Sequence, residues 1–356
     1  MLKTVKDRPV RIAVVGCGVV ADYGHIPAIH RLQEEGLAKL VAFVDPKPER
    51  REAQSRKYGG LPAFASLAEM VAKVELDAVA IPTPPGVKLE LVQIAAAHGL
   101  HAFCEKPLTD SVTQAEELVR IMDAAGLFVG VAFIYRGKII VQRMMALVRE
   151  GTIGKLKAVH IENMWDYHGW RSEKWGEVYK GRRTRSLQNL GTLDCGVHDL
   201  DLARYLSGGE FGPISAIGSI VEPTGKFPDH IVMHARMSNG VLVSIEESAV
   251  WGHTAKETPR YQQSYRMVGD NGVLKAELDF ASNAHESPLY IISGEKQWTE
   301  SLSADKAWDE TYRQFFQIIL GEKPGHRFVA DGHDALANMR AACEVISQCL
   351  SDARKN

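Results

Sequence analysis

Apolar and polar positions alternate differently in the two parts of this chain. From about residue 11 to residue 133, short apolar runs alternate with segments of helical periodicity. The apolar runs occupy residues 12–15, 40–44, 78–81, 101–104 and 128–133, with a weaker one at 62–64. Strands that alternate with helices predict a parallel sheet joined by right-handed crossovers. We therefore expect an α/β protein whose residues 1–133 form a Rossmann-type domain.

After about residue 137 the pattern changes to that of an α+β domain. A helical segment at 139–150 precedes longer segments of alternating polarity, which are typical of antiparallel strands. These segments are residues 155–165, 214–221, 230–237, 241–249, 265–268 and 273–279. Helical patterns at 309–320 and 332–350 close the chain. Residues 134–356 are predicted to form a second domain with a large, mostly antiparallel sheet.

Composition narrows the class of protein. The 356 residues, 45% of them hydrophobic, are enough for two packed cores. A formal net charge of -2 gives no broad attraction to nucleic acid or to anionic membrane, so we expect neither as a partner. The five cysteines show neither CxxC nor zinc-site spacing, so neither disulfides nor a metal is expected. With no signal peptide or apolar span of ~20 residues, a soluble cytoplasmic protein is predicted.

A dinucleotide fingerprint follows the first predicted strand. A glycine in the first position allows a tight turn, the second glycine lets the backbone approach a pyrophosphate, and a small third residue permits close helix packing. The N-terminus of the following helix supplies positive potential. The motif consists of Gly16, Cys17, Gly18, Val19, Val20 and Ala21. We expect these residues to bind NAD or NADP.

Asp45 ends the next predicted strand and has two interpretations. Its carboxylate could accept hydrogen bonds from the adenosine ribose, which slightly favours NAD because a carboxylate repels the 2′-phosphate of NADP. The nearby Lys47 and Arg50 weaken that preference. Capping of the helix predicted near Pro48 explains Asp45 equally well. Both roles are compatible.

Two further loops follow strands at the same edge of the predicted sheet, where ligands bind in open α/β folds. Thr83 and Pro84 are candidate cofactor contacts, although an ordinary proline-terminated loop is the alternative. Glu105 and Lys106 are the other cofactor candidates, and Lys106 is also a candidate catalytic residue. Pro107 suggests a cis Lys106–Pro107 bond that would direct the lysine inward. A lysine at the end of a loop is otherwise usually solvated.

Residues 191–205 carry an aspartate and a histidine at helical spacing. Asp194 and His198 lie four positions apart, and Asp201 and Tyr205 continue the same face of a helix. The alternative is an amphipathic helix with this polar face in water. Small neighbours such as Gly196 favour a catalytic use, because exposed helix faces usually carry Lys, Glu or Gln. A metal site is less favoured, since third and fourth ligands are not evident.

Together these motifs resemble the glucose-fructose oxidoreductase / inositol dehydrogenase / MocA family of NAD(P)-dependent oxidoreductases. The similarity covers nearly the whole chain and rests on the glycine turn, residues 83–85, residues 104–108 and residues 193–201. The resemblance implies that Lys106, Asp194 and His198 form the catalytic set. Family members often carry histidine where this chain has Lys88. By analogy, the second domain binds substrate and forms a homodimer or homotetramer.

The resemblance implies oxidation of a secondary alcohol of a sugar, sugar derivative or cyclitol. His198 would accept the hydroxyl proton, Lys106 would stabilise the developing alkoxide, and Asp194 would orient the substrate or the imidazole. Two alternatives use the same fingerprint. One is an NAD-dependent lyase or glycoside hydrolase that oxidises its substrate transiently, and the other is a non-catalytic dinucleotide or sugar sensor.

Aromatic and basic residues cluster after the strand predicted at 155–165. Aromatic faces suit the C–H faces of sugars and arginine suits anionic groups, but both are also enriched at subunit contacts. His25, Tyr135 and Arg136 are pocket candidates by position alone. The candidate substrate contacts are Tyr135, Arg136, Trp165, Tyr167, Trp170 and Arg171.

Overall fold

The computed structural model describes residues 2–6, 9–165, 193–220, 227–249, 261–279, 286–303 and 307–353. Tertiary contacts divide the chain into two compact units. The first unit consists of Met1–Gly137 and Lys306–Ala337, and the second of Lys138–Asp305 and Asn338–Asn356. The predicted first domain, residues 1–133, did not include the later segment Lys306–Ala337, which belongs to the first unit.

The strands of the first unit are β1 (Val10–Val15), β2 (Ala38–Val44), β3 (Ala63–Phe64), β4 (Ala78–Ile81), β5 (His101–Cys104), β6 (Val129–Val131) and β15 (Ala330–Asp331). Those of the second unit are β7 (Leu156–Trp165), β8 (Phe211–Ser219), β9 (His230–Met237), β10 (Leu242–Ser248), β11 (Tyr261–Gly269), β12 (Gly272–Asp279), β13 (Glu286–Ser293) and β14 (Lys296–Ser303). The α-helices in the described ranges are α1 (Ile26–Glu34), α2 (Pro48–Lys57), α3 (Leu67–Val71), α4 (Lys88–Ala97), α5 (Val112–Ala124), α6 (Ile139–Arg149), α7 (Leu193–Ser207), α8 (Ala307–Ile319) and α9 (Gly332–Ala353).

The first unit is built on a seven-stranded sheet in the order β15-β6-β5-β4-β1-β2-β3. Strands β1 to β6 pair in parallel, and β15 pairs antiparallel with β6 at one edge. The chain leaves β1 towards β2 on one side and returns to β4 on the other, so the switch point of the sheet lies between β1 and β4. This arrangement confirms the predicted Rossmann-type fold.

Buried apolar strands and amphipathic helices explain why these elements form. All four residues of β4 and all four of β5 are buried, as expected for central strands of a parallel sheet covered on both faces. Ser111 is the N-cap residue of helix α5, and its side chain accepts a hydrogen bond from the backbone N–H of Gln114. Helix α8 adds Tyr312 and Phe315 to the core. The centroid of the Phe103 ring lies 4.3 Å from that of the Tyr312 ring and 5.3 Å from that of the Phe315 ring.

The second unit contains an eight-stranded sheet in the order β14-β13-β12-β11-β7-β10-β9-β8. Only β7 and β10 pair in parallel among the described strand pairs of this sheet. The predicted mostly antiparallel sheet is therefore confirmed. The sheet has two strands that the alternating segments did not predict, β13 and β14, and these extend one of its edges. In the described part of the chain, no helix is both long enough and apolar enough to span a membrane.

Candidate active site

The glycine turn after β1 is closed on one side and open on the other. Gly16 has φ +105°, and a Cβ atom there would lie 2.9 Å from the Thr83 side chain and 3.2 Å from the Pro82 carbonyl oxygen. A Cβ atom on Gly18 would meet no atom of the described structure within 4 Å. Val19 is 45% exposed. Gly16 therefore packs against the loop after β4, and the space above Gly18 is open to a ligand.

Asp45, at the end of β2, holds this turn in place. Its Oδ2 atom accepts a hydrogen bond of 2.8 Å from the Cys17 amide, and Oδ1 accepts one of 2.9 Å from the Lys47 amide. Lys47 is the N-cap residue of α2, whose N-cap has no side-chain hydrogen bond, so Asp45 does not cap that helix itself. Each carboxylate oxygen keeps a second acceptor position. Burial, with the charge of Asp45, raises the pKa of the Cys17 thiol to about 12.

Thr83 provides a second observation that fits a bound dinucleotide. Its hydroxyl is buried and has no hydrogen-bond partner among the described residues. A buried polar atom without a partner is costly unless a ligand or water satisfies it. Pro84 follows at the exposed rim of the same loop. The unfilled space at Gly18 and the hydroxyl of Thr83 lie on the two loops that meet at Gly16, so these residues fit the predicted cofactor.

The loop after β5 contains the predicted cis Lys106–Pro107 bond, which is confirmed. The Lys106 amide donates a hydrogen bond of 2.9 Å to Oε2 of Glu105. The other carboxylate oxygen of Glu105 lies 3.3 Å from Nε2 of His25, and Nδ1 of His25 lies 2.6 Å from the Tyr312 hydroxyl. Both oxygens of Glu105 are therefore engaged by the protein.

His25 connects this loop to the core of the first unit. The residue ends a π-helical turn, Ala21–His25, that precedes α1, and it is fully buried. Burial, assisted by the charge of Lys88, lowers the pKa of His25 although Glu105 opposes the shift. A neutral imidazole with its hydrogen on Nε2 donates to Glu105 and accepts from Tyr312. Sequence position had indicated His25 only as a pocket candidate, and its partner Tyr312 had no sequence signal.

In the second unit, His198 lies in α7, within a run of buried residues. Residues 195–207 are all buried, and His198 is 7% exposed. The alternative of an amphipathic helix with a polar side in water is therefore wrong for these residues. Asp201 accepts a hydrogen bond of 2.8 Å from Asn338, and the Tyr205 hydroxyl accepts one of 2.9 Å from Gln142. The side chain of Asp194 lies outside the described residues.

A row of three buried polar residues crosses the sheet beneath α7. Asn163 on β7 is in register with Gln263 on β11 and with Glu247 on β10, and all three are at most 2% exposed. Residues in register on adjacent strands project from the same face. Asn163 donates a hydrogen bond of 2.6 Å to Asp199 of α7. We call Gln263, Asn163 and Glu247 the polar row.

Two atoms of the polar row, on adjacent strands, have no hydrogen-bond partner among the described residues. The Asn163 Oδ1 acceptor and the Gln263 Nε2 donor are buried and make no hydrogen bond within the described ranges. The Gln263 Oε1 atom is oriented by Lys138 Nζ at 2.7 Å and by the Tyr265 hydroxyl at 2.8 Å. None of the three residues of this row was predicted from the sequence. The sequence signal for this row was a polar residue, Asn163, at an inward position of β7, because Ile161 and Val159, two and four positions earlier, are buried.

Two of the six predicted substrate contacts have side chains among the described residues, and four do not. Arg136 is 6% exposed and forms an ion pair of 3.2 Å with Asp334 of the same unit. Tyr135 is half-buried in a 3-10 turn, Ile134–Gly137. Trp165 ends β7, but its side chain lies outside the described residues, as do Tyr167, Trp170 and Arg171 in full. Among the described His, Cys, Asp and Glu residues, no group of three could hold a metal ion.

Comparisons with known proteins agree with both units. Residues 10–133 match a family model described as an oxidoreductase family with an NAD-binding Rossmann fold, and residues 141–275 match the GFO/IDH/MocA C-terminal domain. The chain is 26% identical to D-apiose dehydrogenase of Rhizobium rhizogenes over 82% of this chain and 87% of that protein. It is also 26% identical to myo-inositol 2-dehydrogenase of Thermotoga maritima over 79% and 78%, respectively.

A solved structure shows the same fold. An oxidoreductase from Agrobacterium radiobacter, in complex with NAD+, L-tartaric acid and magnesium, superposes with a TM-score of 0.77 at 20% identity, covering 97% of this chain and 96% of that one. These matches confirm the predicted resemblance, the fold class, and nicotinamide dinucleotides as the cofactor class. The roles of individual site residues stay predictions.

Proposed function

The chain belongs to the GFO/IDH/MocA oxidoreductase family, and from that premise we propose that it transfers a hydride between a secondary alcohol of a sugar, sugar derivative or cyclitol and a nicotinamide dinucleotide. The proposed substrate class follows the two named relatives, which are dehydrogenases of apiose and of myo-inositol. When bound, NAD or NADP supplies the hydride acceptor or donor. The homodimer or homotetramer and the cytoplasmic location stay predictions.

The polar row is the observation that carries the substrate class. A hydroxyl group can donate one hydrogen bond and accept another. In the polar row, an acceptor on Asn163 and a donor on Gln263 are buried on neighbouring strands without partners in the described structure. One hydroxyl could satisfy both atoms at once. A hydroxyl group of a polyhydroxylated substrate therefore suits these two buried atoms better than an apolar or an anionic group does.

The proposed chemistry divides between the two units. Lys106 stabilises the negative charge that develops on the substrate oxygen, and His198 accepts the hydroxyl proton. Asp194 orients the substrate hydroxyl or the imidazole. Neither role needs a thiol, and the Cys17 beside the glycine turn is held as a neutral thiol by its raised pKa.

The proposed cofactor contacts are those predicted from the four loops that follow β1, β2, β4 and β5. Gly18 leaves room for the pyrophosphate, Thr83 offers its hydroxyl, and Asp45 favours NAD through its second acceptor positions. The proposed contacts are Gly16, Cys17, Gly18, Val19, Val20, Ala21, Asp45, Thr83, Pro84, Glu105 and Lys106.

The proposal is tested by a substrate screen with two variants. Sugars, inositols and their keto forms are supplied with NAD or NADP, and the nicotinamide absorbance is followed. Lys106→Ala and His198→Ala should each lower kcat by about 100-fold or more while the cofactor Kd changes by a far smaller factor. Lys73→Ala, an exposed lysine paired with Glu69, is the matched control. Turnover at the wild-type rate in either active-site variant contradicts the assigned roles.

The same screen separates the alternatives. Substrate conversion without net change in nicotinamide absorbance would indicate a lyase or glycoside hydrolase that oxidises its substrate transiently. Tight binding of sugar and dinucleotide with no conversion of any compound would indicate a sensor. Net reduction of the nicotinamide by a polyol is the result expected here.

A further inference from the structure

Lys88 contacts the backbone on both sides of Lys106. It is the first residue of α4, and its side chain is fully buried. The Nζ atom donates hydrogen bonds to the carbonyl oxygen of Glu105 and, at 2.6 Å, to that of Pro107. The first of these carbonyls immediately precedes Lys106, and the second follows the cis bond. A single ammonium group therefore bridges the chain around Lys106.

The burial of this ammonium group needs a physical reason. Moving a lysine charge from water into a protein interior is unfavourable, and the positive end of the helix dipole at the start of α4 adds to that cost. Its hydrogen bonds to two backbone carbonyl oxygens and its charge interaction with the Glu105 carboxylate offset this cost. The buried lysine therefore stabilises one particular conformation of the Glu105–Lys106 loop.

The charge of Lys88 acts on the groups of the Glu105–Lys106 loop. Burial opposes ionisation of the Glu105 carboxyl, but the hydrogen bond with His25 and the nearby lysine charges hold its pKa below the ordinary value. Lys88 also contributes to the lowered pKa of His25. The loop thus contains an anionic Glu105 next to a neutral imidazole, with the Lys88 ammonium as a buried countercharge.

The loop is held from two directions. Lys88 binds its carbonyl oxygens, and the Glu105 carboxylate binds the Lys106 amide while contacting His25. His25 is in turn hydrogen-bonded to Tyr312 of α8. Because the peptide group before Lys106 and the one after Pro107 are both restrained, the Cα–Cβ direction of Lys106 is restrained as well. The side chain then starts from a defined position.

We propose that Lys88 is a positioning residue for Lys106, acting through the two carbonyl groups that flank it. This inference rests on the proposed function, in which Lys106 stabilises the substrate alkoxide. Positioning of a catalytic group affects the chemical step more than the binding of cofactor. Displacements of about 1 Å can cost on the order of 100-fold in rate.

A double-mutant cycle tests this inference. Lys88→Met keeps the length of the side chain and removes its hydrogen bonds and charge. In the full-length protein we expect it to lower kcat by about 10- to 100-fold while the cofactor Kd changes by less than about 3-fold. In a Lys106→Ala background, the same substitution should lower kcat by less than about 2-fold, because Lys88 acts through Lys106. Lys73→Met is the matched control.

Each outcome of the cycle has a separate meaning. If Lys106→Ala keeps wild-type kcat, the role assigned to Lys106 in the proposed function is wrong, and the positioning role of Lys88 is wrong with it. If Lys106→Ala lowers kcat but Lys88→Met does not, or if Lys88→Met costs the same factor in both backgrounds, the positioning role is wrong and the proposed function stands. Lys88→Gln, which keeps an N–H donor, should recover part of the lost kcat. It also replaces Lys88→Met in the cycle if that variant does not fold; its smaller loss of kcat should again be absent in the Lys106→Ala background, and an equal loss in both backgrounds contradicts the positioning role.

Discussion

Three glycines of the first unit allow backbone strain, packing and ligand space to be separated experimentally. Gly16 combines φ +105° with a close neighbour, because the Cβ atom of an alanine at this position would lie 2.9 Å from the Thr83 side chain. Gly59 has φ +78° but no neighbour within 4 Å. Gly18 has neither a positive φ nor a neighbour within 4 Å among the described residues. Alanine at each position adds the same methyl group to three different environments.

The expected stability changes follow from these environments. A positive φ costs an alanine about 1–2 kcal/mol, which is the whole cost expected for Gly59→Ala. Gly16→Ala adds a steric cost of about 1–3 kcal/mol, for a sum of about 2–5 kcal/mol. Gly18→Ala should leave the free energy of unfolding unchanged or raise it by up to about 1 kcal/mol, because alanine restricts the unfolded chain.

Binding of the dinucleotide should follow a different order. The methyl group of Gly18→Ala occupies the open space that we assign to the pyrophosphate, so the Kd for NAD should rise at least about tenfold, or about 1.4 kcal/mol. Gly59→Ala should bind NAD as the wild type does, and Gly16→Ala should be impaired in both properties. Urea unfolding without nucleotide and calorimetric titration with NAD measure the two quantities. Wild-type affinity in Gly18→Ala would refute the assignment of this space to the cofactor.

Three further predictions concern other parts of the chain. Asp45→Ala should weaken NAD binding more than NADP binding, changing the ratio of their Kd values about tenfold; an unchanged ratio would remove Asp45 from cofactor selection. Asn163→Leu should raise the KM for a polyol about tenfold with the cofactor Kd unchanged, whereas the exposed neighbour Glu162→Leu should have no effect. Burial, with the charge of Lys3, lowers the pKa of His101 to about 4, below the unfolded value of ~6.5, so the folded state binds fewer protons between these values. Stability should therefore fall by up to about 3 kcal/mol as the pH drops through this window; urea unfolding of His101→Asn should show a shallower slope, and an equal slope would contradict this origin.

The central strands of the first unit could be predicted because they are short apolar runs buried on both faces. Residues 78–81 and 101–104 were predicted with the bounds that β4 and β5 have. The strand β15 could not be predicted, because two residues carry no periodicity. The strand β13 contains Pro288, which argues against a strand, and it lies near the edge of the sheet, where proline is tolerated.

Some features of the candidate site follow from residues adjacent in the sequence, whereas others depend on contacts between residues far apart in the chain. The turn at Gly16 and the cis Lys106–Pro107 bond are local features, and the residue types alone indicated them. The contact between His25 and Tyr312 joins positions 287 residues apart, so it depends on α8 packing in the first unit. The polar row needs the register of three strands as well as its residue types. Such contacts follow only from the assembled sheet.

Two predicted cofactor contacts, Asp45 and Glu105, also have structural roles. Each carboxylate stands at or just after the end of a parallel strand, and each uses both oxygens within the protein. Both accept a backbone N–H from a ligand-binding loop, Asp45 from Cys17 and Glu105 from Lys106. Removing either carboxylate therefore loosens a loop as well as removing a charge. A uniform loss of affinity for NAD and NADP reports the loop, and only a change in their ratio reports contact with the ribose. For Asp45 the ratio is the informative quantity, whereas for Glu105 we expect a uniform loss.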